Sequence, residues 1–255
     1  MRSLRATALA AVAAAAVAAP LAHAAPSNDH LVDEIAHRGA SFEMPENTLA
    51  AFQEGVDDKS DLIEIDVQRS QDGVLVVIHD TDLRRTTDVE EVFPGRTSYK
   101  VADFTYAELQ QLDAGSWKGE EFAGERIPTL QETLDLVRKS RSGLLIEVKS
   151  PSLYPGIAED LAQELAALLP QVPTGLLGTA PVAQLPELST WADQINPHFS
   201  TVDQAYVDAV HAAGMDINVW TVDKPEEMRR LIDLGVDGII TNQPDTLDVV
   251  VGDAR

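Results

Sequence analysis

Apolar and polar positions alternate most clearly over Leu62-Ile63-Glu64-Ile65-Asp66-Val67. That alternation predicts a strand with Ile63, Ile65 and Val67 on one side and Glu64 and Asp66 on the other. Side chains two residues apart on a strand stand roughly 6.5–7 Å from one another, so the two carboxylates are same-face neighbours. The pattern recurs at residues 144–149, where Leu144, Ile146 and Val148 share one face and Glu147 and Lys149 the other. Beyond Asp66, Asp72-Gly73 separates two strand-like runs, the signature of a hairpin, and the connection is far too short for a parallel crossover. The returning run, residues 74–80, brings His79 back beside Asp66.

Elsewhere the period is helical. Leu49, Phe52 and Val56 share a face after Pro45-Glu46-Asn47-Thr48, and Ile127-Pro128-Thr129 opens a helix bearing Leu130, Leu134, Leu136 and Val137. Residues 155–169 predict one helix carrying Ile157, Leu161, Leu165 and Leu168. Thr201 with Gln204 predicts a capping box ahead of Val207 and Val210, stopping at Gly214. Asp223 and Pro225 predict the start of a helix that ends at Gly235. Strand candidates lie at residues 32–36, 174–177, 192–196, 217–222 and 237–242. This alternation predicts an α/β fold with a parallel sheet, at this length a (β/α) TIM-type barrel. Residues 81–126 break the rhythm. They are mixed and polar, with Phe93, Tyr99, Phe104, Leu109, Leu112 and Trp117 scattered through them, and predict a small inserted subdomain with its own core.

The chain has 255 residues, a net charge of −23 and no cysteine. Arg2 and Arg5, an Ala/Val/Leu run and the A-x-A site Ala22-His23-Ala24 predict a signal peptide over residues 1–25, cleaved after Ala24 or Ala25, and hence a secreted protein. Residues 26–255 then form one domain of barrel size. Without cysteine there is no disulfide staple, which a domain this large does not need. The acidic balance argues against a basic patch for nucleic acid or an anionic membrane. A small-molecule substrate is expected, with the protein a monomer or simple homo-oligomer and no stable membrane association.

Three carboxylates from two strands suggest a hard cation with oxygen ligands. Barrel chemistry gathers at the C-terminal ends of strands, and His37, Asp66, Glu147, Lys149, Trp220 and Thr241 all fall near such ends. The set His37-Arg38-Gly39, Pro45-Glu46-Asn47-Thr48, Glu64-x-Asp66, His79-Asp80, Glu147-x-Lys149, Trp220-Thr221-Val222 and residues 237–242 resembles the glycerophosphodiester phosphodiesterases, in that family's order. The resemblance runs from about residue 35 to 244. It implies hydrolysis of glycerophosphodiesters to sn-glycerol 3-phosphate and an alcohol. It implies a divalent cation, Ca²⁺ ahead of Mg²⁺ for an exported protein, on Glu64, Asp66 and Glu147. His37 and His79 become the acid/base pair, with either able to be the acid. Arg38 and Lys149 bind phosphate and Trp220 lines the pocket. Glu46 and Asn47 either cap a helix or orient Arg38 and the metal ligands. A phospholipase D-type lipase on the same scaffold and a catalytically inactive calcium- or ligand-binding relative are the alternatives. One departure stands out. The family carries a further βα unit between the Glu147 strand and Pro173-Thr174-Gly175, and here a single helix fills that interval. Seven wall strands are expected where a barrel has eight.

Overall fold

The computed structural model describes residues 14–18, 32–166 and 173–253. Its strands are β1 (Ala14–Ala18), β2 (Asp33–Ala36), β3 (Leu62–Arg69), β4 (Leu75–Val77), β5 (Gly143–Val148), β6 (Thr174–Leu177), β7 (Gln194–Asn196), β8 (Asp216–Val219) and β9 (Gly238–Thr241). The helices are α1 (Leu49–Asp57), α2 (Val89–Val92), α3 (Tyr106–Leu109), α4 (Leu130–Val137), α5 (Ile157–Ala166), α6 (Leu185–Leu188), α7 (Gln204–Ala212), α8 (Pro225–Leu234) and α9 (Pro244–Asp253). None of them is long and apolar enough to cross a membrane.

The wall runs β2-β9-β8-β7-β6-β1-β5-β3, and β2 pairs back onto β3, so the sheet closes on itself. Parallel pairing joins β2, β3 and β5 on one side and β6, β7, β8, β9 and β2 on the other. β4 folds back antiparallel on β3, with Val77 opposite Val67 and the Ile78 amide donating to the Asp66 carbonyl at 2.9 Å. The hairpin expected at Asp72-Gly73 is therefore present, and it returns the chain to Asp66 just ahead of His79.

Among the described residues seven strands run parallel, the count read from the sequence, and residues 150–166 contain no strand. Part of the predicted leader stands in the eighth place. β1 lies antiparallel between β5 and β6, with Ala15 opposite both Glu147 and Gly175. One inserted strand holds its neighbours about 10 Å apart, twice the ordinary strand spacing. Four of its five residues are alanine, a poor strand former, so its place rests on backbone hydrogen bonds to two exposed edges. The rest of the predicted leader, residues 1–13 and 19–25, and Leu168 and Leu169 at the expected end of α5 lie outside the described residues.

Strand alternation sorts the side chains as the sequence implies. Ile63, Ile65 and Val67 of β3 and Leu144, Ile146 and Val148 of β5 pack outward against Phe52 of α1, Leu130 and Leu134 of α4 and Leu161 of α5. A second outer core joins Ile195, Ile217, Val219 and Ile239 to Val207, Met228, Leu231 and Leu247. Inside the ring, Ile35, Leu145 and Ile240 form an apolar plug against which Trp220 rests. The inserted subdomain has its own core of Leu83, Val89, Val101, Phe104, Leu109 and Leu112. Trp117 stays outside it, 40% exposed, with its indole Nε1 donating to the Ala114 carbonyl.

Two predicted caps are corrected. α7 is capped by Asp203, whose carboxylate accepts from the Tyr206 amide, because Thr201 closes a preceding 3₁₀ turn and lacks the extended backbone a cap needs. α8 starts after Lys224, and Asp223 instead turns its carboxylate toward the end of β9.

A chain lacking residues 1–25 should expose the facing edges of β5 and β6. Hydrogen exchange at residues 144–147 and 174–176 should then speed up relative to the full chain. Unchanged protection there would show that the wall closes without β1.

Candidate active site

The acidic centre follows from strand register. Asp66 on β3 pairs with Glu147 on β5, and Glu64 lies two residues back on the same face as Asp66. One ligand atom from each of these three residues lies within 4.8 Å of the others. Burial and the neighbouring carboxylates push Glu64 well above the usual carboxylate range, and burial with Asp66 pushes Glu147 up. Burial also opposes ionisation of Asp66, but Lys149, Arg38 and His79 outweigh it and hold Asp66 below its usual value. Asp66 is 1% exposed and its Oδ1 has no hydrogen-bond partner. A buried, ionised oxygen aimed at two further carboxylates fits a hard cation with oxygen ligands. Cysteine is absent and no histidine belongs to the cluster, so the donor set suits Ca²⁺ or Mg²⁺ rather than zinc.

The surrounding loops hold this centre in strained backbone. Arg38, Asn47 and Ser150 all have positive φ, at 57°, 57° and 44°, each within one residue of a predicted site residue or motif position. The Arg38 amide donates to Glu64 Oε2 at 2.8 Å, its guanidinium Nη1 donates to Glu46 Oε1 at 2.8 Å, and its Nε lies 3.3 Å from Asp66 Oδ2. Gly39 follows at φ 79°, and a Cβ there would meet the Ala51 carbonyl oxygen at 2.4 Å, so the turn packs directly on α1. Asn47 grips Asp66 from both ends, its Nδ2 donating to Oδ2 at 2.8 Å and its Oδ1 accepting from the Asp66 amide at 3.3 Å. The cap of α1 is Thr48, so Glu46 and Asn47 orient the site and do not cap the helix. Lys149 Nζ lies 2.6 Å from Glu147 Oε1 and 3.6 Å from Asp66 Oδ1.

Each histidine has one ring nitrogen fixed. His37 Nδ1 lies 2.6 Å from Asn242 Oδ1. The Asn242 amide nitrogen donates to Asp223 Oδ2 at 2.7 Å, and a carboxylate only accepts, so the amide oxygen must face His37. His37 Nδ1 is therefore the protonated nitrogen and Nε2 keeps a lone pair. Burial, then Arg38, lowers the His37 pKa to about 4, which keeps the ring neutral. His79 Nδ1 lies 2.6 Å from Asp80 Oδ1, and Arg85 Nε donates to Asp80 Oδ2 at 2.5 Å. Asp80 is held at about 2: burial works against ionisation, and the bonds from Arg85 and His79 outweigh it. A carboxylate only accepts, so Nδ1 carries the hydrogen it shares with Asp80, and the ring is held with Nε2 turned away from that bond. Asn242 and Asp80 stood within the motifs without roles, whereas Asp223 read only as a helix start and Arg85 carried no local signal, since their partners are distant in sequence.

His37, Arg38, Glu64, His79, Glu147, Lys149 and Trp220 all line one cavity of about 210 Å³, with Asp66 buried against Arg38 and Lys149 behind them. Every predicted site residue is thus gathered in one place. Trp220 forms a wall, its Nε1 donating to the Asn196 carbonyl at 2.7 Å and its ring braced edge-on by His198 at 5.3 Å. The arrangement presents two differently tethered histidine rings, three clustered carboxylates and two positive side chains to one cavity.

The chain matches the model of the glycerophosphoryl diester phosphodiesterase family over residues 37–172 and 158–246. The match falls in two overlapping pieces that share residues 158–172, so it breaks at the helix where a βα unit is missing. A glycerophosphodiester phosphodiesterase of Caldanaerobacter subterraneus is 38% identical over 238 residues, covering 84% of this chain and 95% of that protein. One from Bacillus subtilis is 33% identical over 253 residues, covering 83% of each. Among solved structures, an Oleispira antarctica phosphodiesterase in complex with the product sn-glycerol-3-phosphate superposes with a TM-score of 0.77 at 30% identity, covering 86% of this chain and 96% of that one. By its site, its fold and these relatives, the chain is an enzyme of the glycerophosphoryl diester phosphodiesterase family.

Proposed function

We propose that this chain hydrolyses glycerophosphodiesters to sn-glycerol 3-phosphate and an alcohol, with His37 as base and His79 as acid. The observation that carries the reading is the pair of differently tethered histidines in one cavity with the acidic centre. Glu64, Asp66 and Glu147 hold the divalent cation, Ca²⁺ ahead of Mg²⁺. When bound, the cation supplies positive charge to the phosphoryl oxygens.

The phosphodiester is a monoanion that gains charge in the transition state, so positive groups aimed at its oxygens lower the barrier. Arg38 and Lys149 provide them, and both stay charged: burial disfavours the Lys149 ammonium, but Asp66 and Glu147 outweigh it. His37 Nε2 takes the proton of the glycerol 2-hydroxyl as its oxygen bonds to phosphorus. His79 Nε2 gives its proton to the departing alcohol oxygen as the old P–O bond breaks. The cyclic phosphate is then opened by water. His79, now neutral, takes the water proton, and His37 returns its proton to the 2-oxygen, which completes sn-glycerol 3-phosphate. The cavity, about 210 Å³, lies below the usual range for drug-sized ligands, which suits a polar headgroup with its alcohol directed outward. We further propose that the protein is exported and cleaved after Ala24 or Ala25, which would also remove β1.

Substituting alanine for His37 or for His79 should each lower turnover by roughly 10²–10⁴-fold with the fold intact. A diester with a p-nitrophenol leaving group should rescue the His79 variant but not the His37 variant, because that leaving group needs no proton. Near-normal turnover in either variant, or equal rescue of both, would reverse the assignment.

Chelator should lower both activity and melting temperature, since loss of a native-state ligand destabilises by mass action, and Glu147→Gln should blunt both responses. Full activity in excess chelator, with no metal found by elemental analysis, would remove the cation from the reading.

Exported protein should begin at Ala25 or Pro26 by N-terminal sequencing. Secreted material that begins at Met1 would contradict the proposed processing.

A further inference from the structure

Two residues beyond Asp66 on β3, a side chain takes over where the strand ladder stops. Gln68 is fully buried, at 0% exposure. Its Nε2 lies 2.9 Å from the Ile78 carbonyl oxygen, 3.0 Å from that of His79 and 2.8 Å from that of Asp80. An amide nitrogen carries two hydrogens, so one of them is shared between two of these acceptors. Among the described residues no backbone amide donates to any of the three carbonyls, and the last ladder bond from this side of the hairpin is the Ile78 amide to the Asp66 carbonyl. The short run that carries His79 therefore leaves the sheet, and one carboxamide gathers its carbonyls. The bond between His79 Nδ1 and Asp80 lies within that same run, so it fixes the ring relative to the run and not the run relative to the barrel.

The carboxamide is itself oriented from its other end. The Tyr154 hydroxyl donates to Gln68 Oε1 at 2.8 Å. Burial pushes that hydroxyl up to about 12, so it keeps its proton. With its oxygen bound there, the amide turns its nitrogen to the carbonyls, whereas a flipped amide would set oxygen against oxygen. Tyr154 is 3% exposed and stands in the segment that follows Lys149. Neither Gln68 nor Tyr154 lines the cavity, so any effect on the reaction passes through the residues they hold. We propose that Gln68 is the positioning residue for His79, and that Tyr154 fixes Gln68 for that task. The inference rests on the acid role proposed above for His79. A proton donor must stand within hydrogen-bond reach of the departing oxygen, and a shift of about 1 Å can cost about 10²-fold.

The test uses the metal-loaded full chain and two substrates, glycerophosphocholine and the p-nitrophenyl diester of glycerol 3-phosphate. Single-turnover release of choline or p-nitrophenol reports the bond-breaking step before the cyclic phosphate is opened. Gln68→Met keeps the bulk of the side chain and removes the donor. It should slow choline release by about 10–10²-fold while p-nitrophenol release stays within about threefold of wild type, because only the first leaving group needs a well-placed proton. Tyr154→Phe removes one oxygen and should give the same selective loss at about threefold to tenfold. A general structural role would slow both substrates alike. Equal losses on the two substrates in a Gln68→Met variant that folds, by its melting curve, overturn the proposal, and so does unchanged choline release. Should Gln68→Met fail to fold, Tyr154→Phe decides: selective loss of choline release supports the proposal, and its absence overturns it. His79→Ala separates this inference from the reading beneath it. If p-nitrophenol release is not rescued in His79→Ala, the acid role falls and this inference with it. If it is rescued there but the Gln68→Met loss is not selective, the positioning role alone falls.

Discussion

Three carboxylates that share one buried place dominate the physics of this molecule. Glu64 and Asp66 are almost fully buried and Glu147 largely so, and their ligand atoms are close enough that all three cannot ionise without positive charge among them. The scaffold meets that demand only in part. Lys149 and Arg38 keep Asp66 ionised, while Glu64 and Glu147 are driven toward their neutral forms. The imbalance leaves room for one further cation. The positive φ at Arg38 and Asn47 is the geometric counterpart, since both residues contact the acidic centre directly.

The same charges organise the surroundings of His37 and His79. Glu46 accepts from both Arg38 and Arg85, and Arg85 in turn reaches Asp80, the partner of His79. One chain of ion pairs therefore runs from the acidic centre through the His37-Arg38 turn to the inserted segment and back to the second histidine. His37 stands outside that chain. Its partner is a neutral amide, itself oriented by Asp223, and burial dominates its ionisation. A carboxylate beside one ring and an amide beside the other is what separates the two histidines chemically.

The wall of the barrel is less securely made than the site. The acidic centre sits on β3 and β5, next to the place where a strand is missing. β1 fills that place with backbone pairing and mostly alanine, from a segment whose composition is that of a leader. The side chains proposed to carry the reaction are concentrated on the well-paired half, β2, β3 and β5, together with β9. The defect therefore falls on stability and on access beside Glu147, while the histidines and their partners keep their supports.

Much of this was legible in the chain. Strict alternation at residues 62–67 and 144–149 placed the three carboxylates on one side and the aliphatic residues on the other, because a strand has a fixed period of two. The short Asp72-Gly73 turn required His79 to return beside Asp66, since so brief a link permits no other pairing. The helix period and the missing interval after Lys149 predicted seven parallel strands. What the sequence alone could not decide depends on groups distant along the chain. Asp223 looked like a helix cap, and only the approach of β9 shows that it orients Asn242 and thereby the tautomer of His37. The roles of Glu46 and Asn47 were ambiguous until Arg38, Arg85 and Asp66 converged on them. Gln68 carried no signal at all, because its partners are the returning carbonyls of residues 78–80 and the distant Tyr154. Local periodicity determines which face a side chain takes, and tertiary closure decides which partner it meets there.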